Sequence, residues 1–239
     1  MMRNLCPSFF VILALTLGAW AAVTAELPQQ VDLRPVFDNW GLGPRKQGAR
    51  GTCSVFTTTA ALEFALAKRH KKGVMLSPEF LNWAANQTAH AKPPGDGQFF
   101  KDCLNGFKTH GICSEEEMPY HMVFDPAIKP SSKAVKAAAE LRKHDENGLV
   151  VHWINPLKEK PGLADRQMHK IRQVLAQGWP VAAGASHSRL LVGYEAASEK
   201  LGDGVFLTKD SGKGAYAIVS WQFVQENVGD VFWIEALAP

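Results

Sequence analysis

The sequence reads as an α+β protein on three observations. Segments with helical start and stop signals fill the stretch from Thr52 to His144. Short apolar runs bounded by glycine, proline and polar turns fill the stretch from Gly148 to Ala236. With 46% hydrophobic side chains and seven Trp among 239 residues, the chain describes a packed globule and not a disordered tail. Helices first and strands later are the pattern of an α+β arrangement.

The first 25 residues stand apart. Arg3 gives a positive start, Phe9 to Val23 is apolar, and Val23-Thr24-Ala25 offers small residues before the polar Glu26. This predicts a signal peptide over 1–25, cleaved after Ala25. Fifteen apolar residues fall short of the roughly 20 that span a bilayer, and no other stretch is long enough. Cys6 precedes the apolar run, which argues against a lipid-modified cysteine. The mature protein is therefore expected to be secreted or periplasmic, with no membrane association after cleavage.

Glu26 to Arg50 reads as an extended surface arm. A helix is predicted from Thr52 or Cys53, closing in the basic run Lys68-Arg69-His70-Lys71-Lys72 before Gly73. Ser77-Pro78-Glu79 supplies cap, first-turn proline and first-turn acid for a second helix through Asn86. Ala89 to Gly97 reads as a loop, Gln98 to His110 as a helix closed by Gly111, Pro126 to Ser132 as a linker and Ser132 to His144 as an Ala-rich helix. Gly148 to Ile154 alternates as a strand, and Asp165 to Gln177 is helical up to Gly178. The runs 180–185, 190–195, 204–208, 215–220 and 231–236 read as short strands, with Asp203 a turn residue. Asn86-Gln87-Thr88 fits a glycosylation acceptor, though an ordinary helix-end asparagine is the preferred reading.

Charge and cysteine count narrow the function. Cleavage removes Arg3 from the 26 basic residues and leaves 25 against 23 acidic ones, a net +2. That balance does not suggest a nucleic-acid partner. Three cysteines remain, an odd number, which predicts one disulfide and one free thiol. Cys103 and Cys113 are close enough in sequence to be bridged, leaving Cys53. No HExxH, CxxC or similar spacing appears, so no metal and no cofactor are assigned.

Cys53 begins the first long helix, where the helix dipole favours a thiolate. A lone cysteine in such a place is more often an inert core residue. What raises Cys53 above that is its company. Gln47, six residues upstream, can turn its amide toward an oxygen bound over the sulfur. His187 lies where one apolar run hands over to the next, a place from which an imidazole reaches a cleft and serves a thiolate as base. Asp210 ends a strand after His187 and is a choice for orienting the imidazole. Singly, a surface-turn histidine and a turn aspartate are the commoner readings.

Gln47-Gly48 followed by Gly51-Thr52-Cys53-Ser54-Val55-Phe56 is similar to the glutamine, glycine and cysteine motif of papain-like cysteine peptidases. Five further segments match in order: Val31-Asp32-Leu33-Arg34; Leu76-Ser77-Pro78-Glu79; Asp96-Gly97 with Gly111-Ile112 and Pro119-Tyr120; His187 with Val192-Gly193-Tyr194; and Lys209-Asp210-Ser211. The closing Asp230-Val231-Phe232-Trp233-Ile234 resembles bacterial members in particular. The resemblance implies a two-lobe papain-like fold, with a helical left lobe (26–130) holding Cys53 and a β-barrel-like right lobe (131–239) holding His187 and Asp210. The active-site cleft would lie between them. It implies Cys53, His187, Asp210 and Gln47 as catalytic residues and Gly97 with Gln98 as substrate-binding backbone. The partners it implies are a peptide or protein substrate and an external protein inhibitor.

This chain also departs from the family pattern. Asp210 stands where the family usually has Asn, and Val55 replaces a Trp. Gly212 replaces the aromatic residue that shields the Asn, which predicts a wetter Asp210, and Gln98 replaces a glycine, which predicts a reshaped cleft. Ala25 to Val31 leaves no room for the long inhibitory propeptide of the family. Peptide-bond hydrolysis is the leading expectation. The alternatives are a catalytically weak or inactive binding protein of the same fold and a transamidase using the same acyl-enzyme.

Overall fold

Helix α2 (Cys53–His70) is the element around which the rest is assembled. From Val55 to Ala67 every residue is buried, as in a central helix, with Glu63 in that run paired to Arg45 at 2.6 Å. Its Phe64 ring meets Phe37 at 4.7 Å, Trp40 at 5.3 Å and Trp179 at 6.4 Å between centroids. Such ring pairs contribute about 0.5–1.5 kcal/mol each beyond their area burial. The helix ends on Lys71, which takes the left-handed conformation (φ 56°) two residues before Gly73.

The computed structural model describes residues 26–90, 93–145, 148–156, 160–197 and 204–237. The expected signal peptide (1–25) and Asp203 lie outside them. Among the described residues no helix is long and apolar enough to cross a membrane.

In chain order, β1 (Gln30–Asp32) and the short α1 (Arg34–Asn39) precede α2. Three helices follow it: α3 (Pro78–Ala89), α4 (Phe100–His110) and α5 (Ser132–Asp145). Ser77 caps α3, its Oγ accepting from the Phe80 N–H at 2.9 Å, with Pro78 in the first turn. The remaining elements are β2 (Leu149–Asn155), α6 (Asp165–Ala176), β3 (Val181–Gly184), β4 (Arg189–Glu195), β5 (Val205–Asp210), β6 (Ala215–Ser220), α7 (Trp221–Asn227) and β7 (Asp230–Ala236). The molecule is thus a two-lobe α+β arrangement, a helical region beside one sheet.

That sheet is open, which corrects the expected β-barrel. Its strands run in the order β2-β7-β3-β4-β5-β6, all antiparallel, and the outer strands β2 and β6 do not pair. The physical reason lies in what covers it. Every residue of β3 is buried, which requires cover on both faces, and α2 and α6 are the helices that contact it. A central strand covered by helices buries its apolar side chains without closure, and the outer strands β2 and β6 keep exposed residues at the edges of the sheet. The arm is not wholly irregular either. Its β1 pairs with the far half of β4, Val31 against Tyr194, on the edge that β3 occupies in the near half.

The expected disulfide is also absent. Cys53, Cys103 and Cys113 are all free. The helical run of α4 turns Cys103 into the main core shared with α2 and the sheet, whereas Cys113 belongs to a separate small core with Phe80, Ala84, Met118, Ala134 and Ala138. Burial pushes the Cys113 thiol up to about 12 and the Cys103 thiol higher still, so neither forms an appreciable thiolate at neutral pH. Asn86 is buried as well and is bonded to the Asn82 carbonyl at 2.8 Å and the Gly95 N–H at 2.6 Å, an internal helix residue and not a glycan acceptor. Iodoacetamide labelling followed by peptide mapping is expected to modify Cys53 in the native protein, with Cys103 and Cys113 reacting only after unfolding. A Cys103–Cys113 cross-link in the non-reduced map would contradict this packing.

Candidate active site

The sequence brings three distant segments to one end of the sheet. The loop after β3 carries His187, β4 then starts at Arg189, and β5 ends at Asp210. The register that sets Leu190 against Lys209 puts Arg189 next to Asp210. The N-terminus of α2, with Cys53, faces this end across a cleft of about 560 Å³ lined by residues of both regions.

His187 Nε2 lies 2.8 Å from Asp210 Oδ1. Its other ring nitrogen, Nδ1, is thereby left for Cys53, and thiol and imidazole are near enough for each to shift the titration of the other through hydrogen bonding. Burial pushes the Cys53 thiol up, but the bond to His187 and a further one from the Ser188 backbone outweigh it and leave the thiol below its ordinary value. The same bond to Cys53, together with Asp210 and against some desolvation, holds His187 above the usual imidazole value. The two shifts run in opposite directions, each favouring the charged form of its group.

Asp210 is only 2% exposed. Burial works against its charge, but His187 and the Lys213 N–H outweigh it and hold the carboxyl below the usual carboxylate range. The wetter Asp210 expected from Gly212 is not what is found. The Gly212 N–H donates to Asp210 Oδ1 at 2.9 Å, and a Cβ built on Gly212 would lie 3.0 Å from the His187 ring. The glycine lets bare backbone cover the pair, where a Cβ would press on the His187 ring.

Sequence reasoning missed Arg189. Its Nε donates to Asp210 Oδ2 at 3.0 Å and its Nη1 to the His187 carbonyl at 2.9 Å. The signal was present: a carboxylate in place of a neutral amide brings a buried negative charge that needs a counter-cation nearby, and Arg189 is two residues from His187.

Gln47 is buried and ties the two regions together. Its N–H donates to the Ser211 carbonyl at 2.9 Å, its Oε1 accepts from Ser211 Oγ at 2.6 Å, and its Nε2 donates to the Arg50 carbonyl at 2.7 Å. A carbonyl only accepts, so the amide orientation is fixed and one N–H of Nε2 remains for a ligand. As the first residue of α2, Cys53 also has a backbone N–H without an acceptor inside the helix.

Gly97 and Gln98 line the cleft beside Cys53. The Gly97 N–H donates to Asn82 Oδ1 at 3.1 Å, and the Gln98 carbonyl accepts from Ser54 Oγ. The Gln98 side chain is drawn onto Asn86 Oδ1 at 2.8 Å. The cleft is thus lined by Gln98 backbone held in place, with its side chain tethered to α3.

Arg50 fixes this loop. Its guanidinium donates to Glu79 at 2.5 Å, to Asp96 at 2.9 Å and to the His121 carbonyl at 2.6 Å, and lies 4.5 Å from the Tyr120 ring centroid.

The family model for papain family cysteine proteases matches residues 27–234. Solved structures share the fold at low identity. Xylellain, a cysteine protease from Xylella fastidiosa, is 19% identical over 89% of this chain and 88% of its own, with a TM-score of 0.65. Digestive procathepsin L 3 of Tenebrio molitor larval midgut is 17% identical over 90% of this chain and 72% of its own, TM-score 0.61. The ragweed pollen allergen Amb a 11, a cysteine protease in its proform, is 19% identical over 91% and 69%, TM-score 0.63. Among curated proteins none matches the sequence at a significant level.

Replacing Arg50 by Met is expected to destabilise the protein by about 3 kcal/mol, because it strands the buried Glu79. Adding Glu79→Gln should recover part of the loss. Urea denaturation of the two variants measures both; equal loss in single and double variants would show that the charge is not what matters.

Proposed function

From the premise that the chain belongs to the papain family of cysteine proteases, we propose that it is an exported, bacterial-type peptidase that hydrolyses peptide bonds through Cys53. The observation that carries this reading is the 2.8 Å His187–Asp210 bond beside Cys53, which lines the cleft and whose thiol the imidazole pulls down. The apolar leader before Glu26 supports export, and the 230–234 segment supports the bacterial type.

In this mechanism the Cys53 thiolate attacks the substrate carbonyl carbon. The free N–H of Gln47 and the Cys53 backbone N–H receive the oxyanion. His187 imidazolium gives its Nδ1 proton to the departing amine as the C–N bond breaks, leaving an acyl-enzyme. It then takes a proton from water, whose oxygen attacks the acyl carbon and frees the acid with the thiolate restored. Asp210 holds the imidazole from the Nε2 side throughout. Arg189 offsets the carboxylate, so the site gains an orienting anion without an uncompensated buried charge.

Hydrolysis of a fluorogenic peptide amide should disappear in Cys53→Ala. In Gln47→Ala, kcat should fall by about 10²–10³ with little change in KM, since the amide acts on charge that exists only in the transition state. Unchanged turnover in Cys53→Ala would sink the proposal.

The pH profile of kcat/KM should be bell-shaped. Its acid limb belongs to formation of the depressed thiolate and its alkaline limb to loss of the raised imidazolium. Asp210→Asn removes an anion that raises His187 and should move the alkaline limb down. Arg189→Met removes a cation that lowers His187 and should move it up. Shifts of the same sign in both variants would rule out this electrostatic arrangement.

A further inference from the structure

A second cavity, of about 490 Å³, shares no lining residue with the active-site cleft among the described residues. Leu62 of α2 and Ile234 of β7, both buried, form its floor. Helix α4 is one wall, presenting Lys101, Leu104 and Lys108 at the three- and four-residue spacing of a single helical face. Strand β2 is the other wall. Leu149, Val150 and Val151 all line the cavity, although consecutive strand residues point to opposite faces. The cavity is therefore a groove along the edge of β2, and among the described residues no strand lies beside that edge.

Open edges are commonly guarded by lysine, proline or a bulge. Strand β2 carries neither lysine nor proline, and its register shift falls only at the end, between Trp153 and Asn155. Val151 and Trp153 stay 37% and 38% exposed on it. The charges stand across the groove instead, and all have one sign. Lys101 and Lys108 are about 10 Å apart along the helix. Arg142 reaches in from α5, held by its Nη1 bond to the Thr109 carbonyl at 2.7 Å, while its Nε is buried without a hydrogen-bond partner. No acid among the described residues lines the groove. A ligand with a single acidic head would meet one end only, whereas cations at both ends of an apolar trough fit a chain bearing several carboxylates. A second copy of this protein fits poorly, because pairing two β2 edges would bring both sets of cations together.

We propose that this groove docks an acidic, extended segment of a partner polypeptide, which adds to β2 as a strand and sets its carboxylates against Lys101, Lys108 and Arg142. Main-chain pairing supplies affinity, and apolar side chains between the carboxylates rest on Leu104 and Trp153. The inference stands apart from the peptidase reading, since none of Cys53, His187, Asp210 and Gln47 takes part.

Arrayed nonapeptides alternating Glu with Val, Leu, Ile or Phe test it, beside the same set with Lys in place of Glu. The Cys53→Ala protein is used, so that none is cut. By fluorescence anisotropy the best acidic member should bind about tenfold or more tighter than its Lys counterpart. Adding Lys101→Glu and Lys108→Glu should weaken it by about tenfold or more, with an unchanged urea midpoint. Methylating alternate backbone nitrogens of the peptide leaves the protein untouched. One phase of methylation should cost about tenfold and the other little, since a strand pairs with β2 along one side only. No acidic peptide bound, equal affinity for the Lys set, or full binding by the charge-reversed protein overturns the inference. So does equal tolerance of both methylation phases. Sedimentation that finds the free protein dimeric, with the dimer excluding the peptide, gives the groove to a second copy and overturns it too.

Discussion

A buried guanidinium must find acceptors for five N–H groups, and Arg50 finds them in three separate segments: Glu79 at the start of α3, Asp96 in the loop before α4, and the His121 carbonyl. Its own carbonyl meanwhile accepts from Gln47. Three residues later stands Cys53. The position of the thiol is therefore set by a charge cluster and not by helix propensity, since α2 has no side-chain cap at Thr52. Two carboxylates around one guanidinium are tolerable only while the cluster stays together, which makes the loop a rigid support for the end of α2.

The opposite wall depends on sheet register. Because β4 begins where β5 ends, Arg189, Asp210 and the His187 loop arrive together as one consequence of antiparallel pairing. A slip by one residue would turn Asp210 to the other face. The bonds from Gln47 to Ser211 then join this wall to the loop before α2. Neither wall is set by a local element alone; the cleft is the place where a charge cluster and a register meet.

What could be read from sequence follows the range of the forces involved. Strands β2 to β7 announce themselves through apolar runs and turns, and α3 through Ser77 and Pro78, because those signals are local. The short α1 and the three-residue β1 lack such signals: β1 exists because β4 offers Val31 and its neighbours a free edge. Ser220, which caps α7 through the Phe223 N–H at 3.1 Å, was a usable signal left unread. The barrel and the disulfide failed for a shared reason. Both concern which distant parts touch, and neither strand patterning nor cysteine parity carries that information. At the site, a motif nominates Cys53, His187, Asp210 and Gln47 together, whereas the place of Arg189 was visible only once charges could be matched with neighbours in space.

The place of β7 in the sheet has a consequence for how the site is assembled. Formed from residues 230–236, it lies between β2 and β3, in the middle of the sheet, with Val231 and Phe232 fully buried. A ribosome that has not yet released this segment has made Cys53, His187 and Asp210 but cannot seat β3 beside β7, and so cannot hold the His187 loop in place. Contacts this far apart along the chain form late. Assembly of the Cys53–His187 neighbourhood thus waits on residues 230–236.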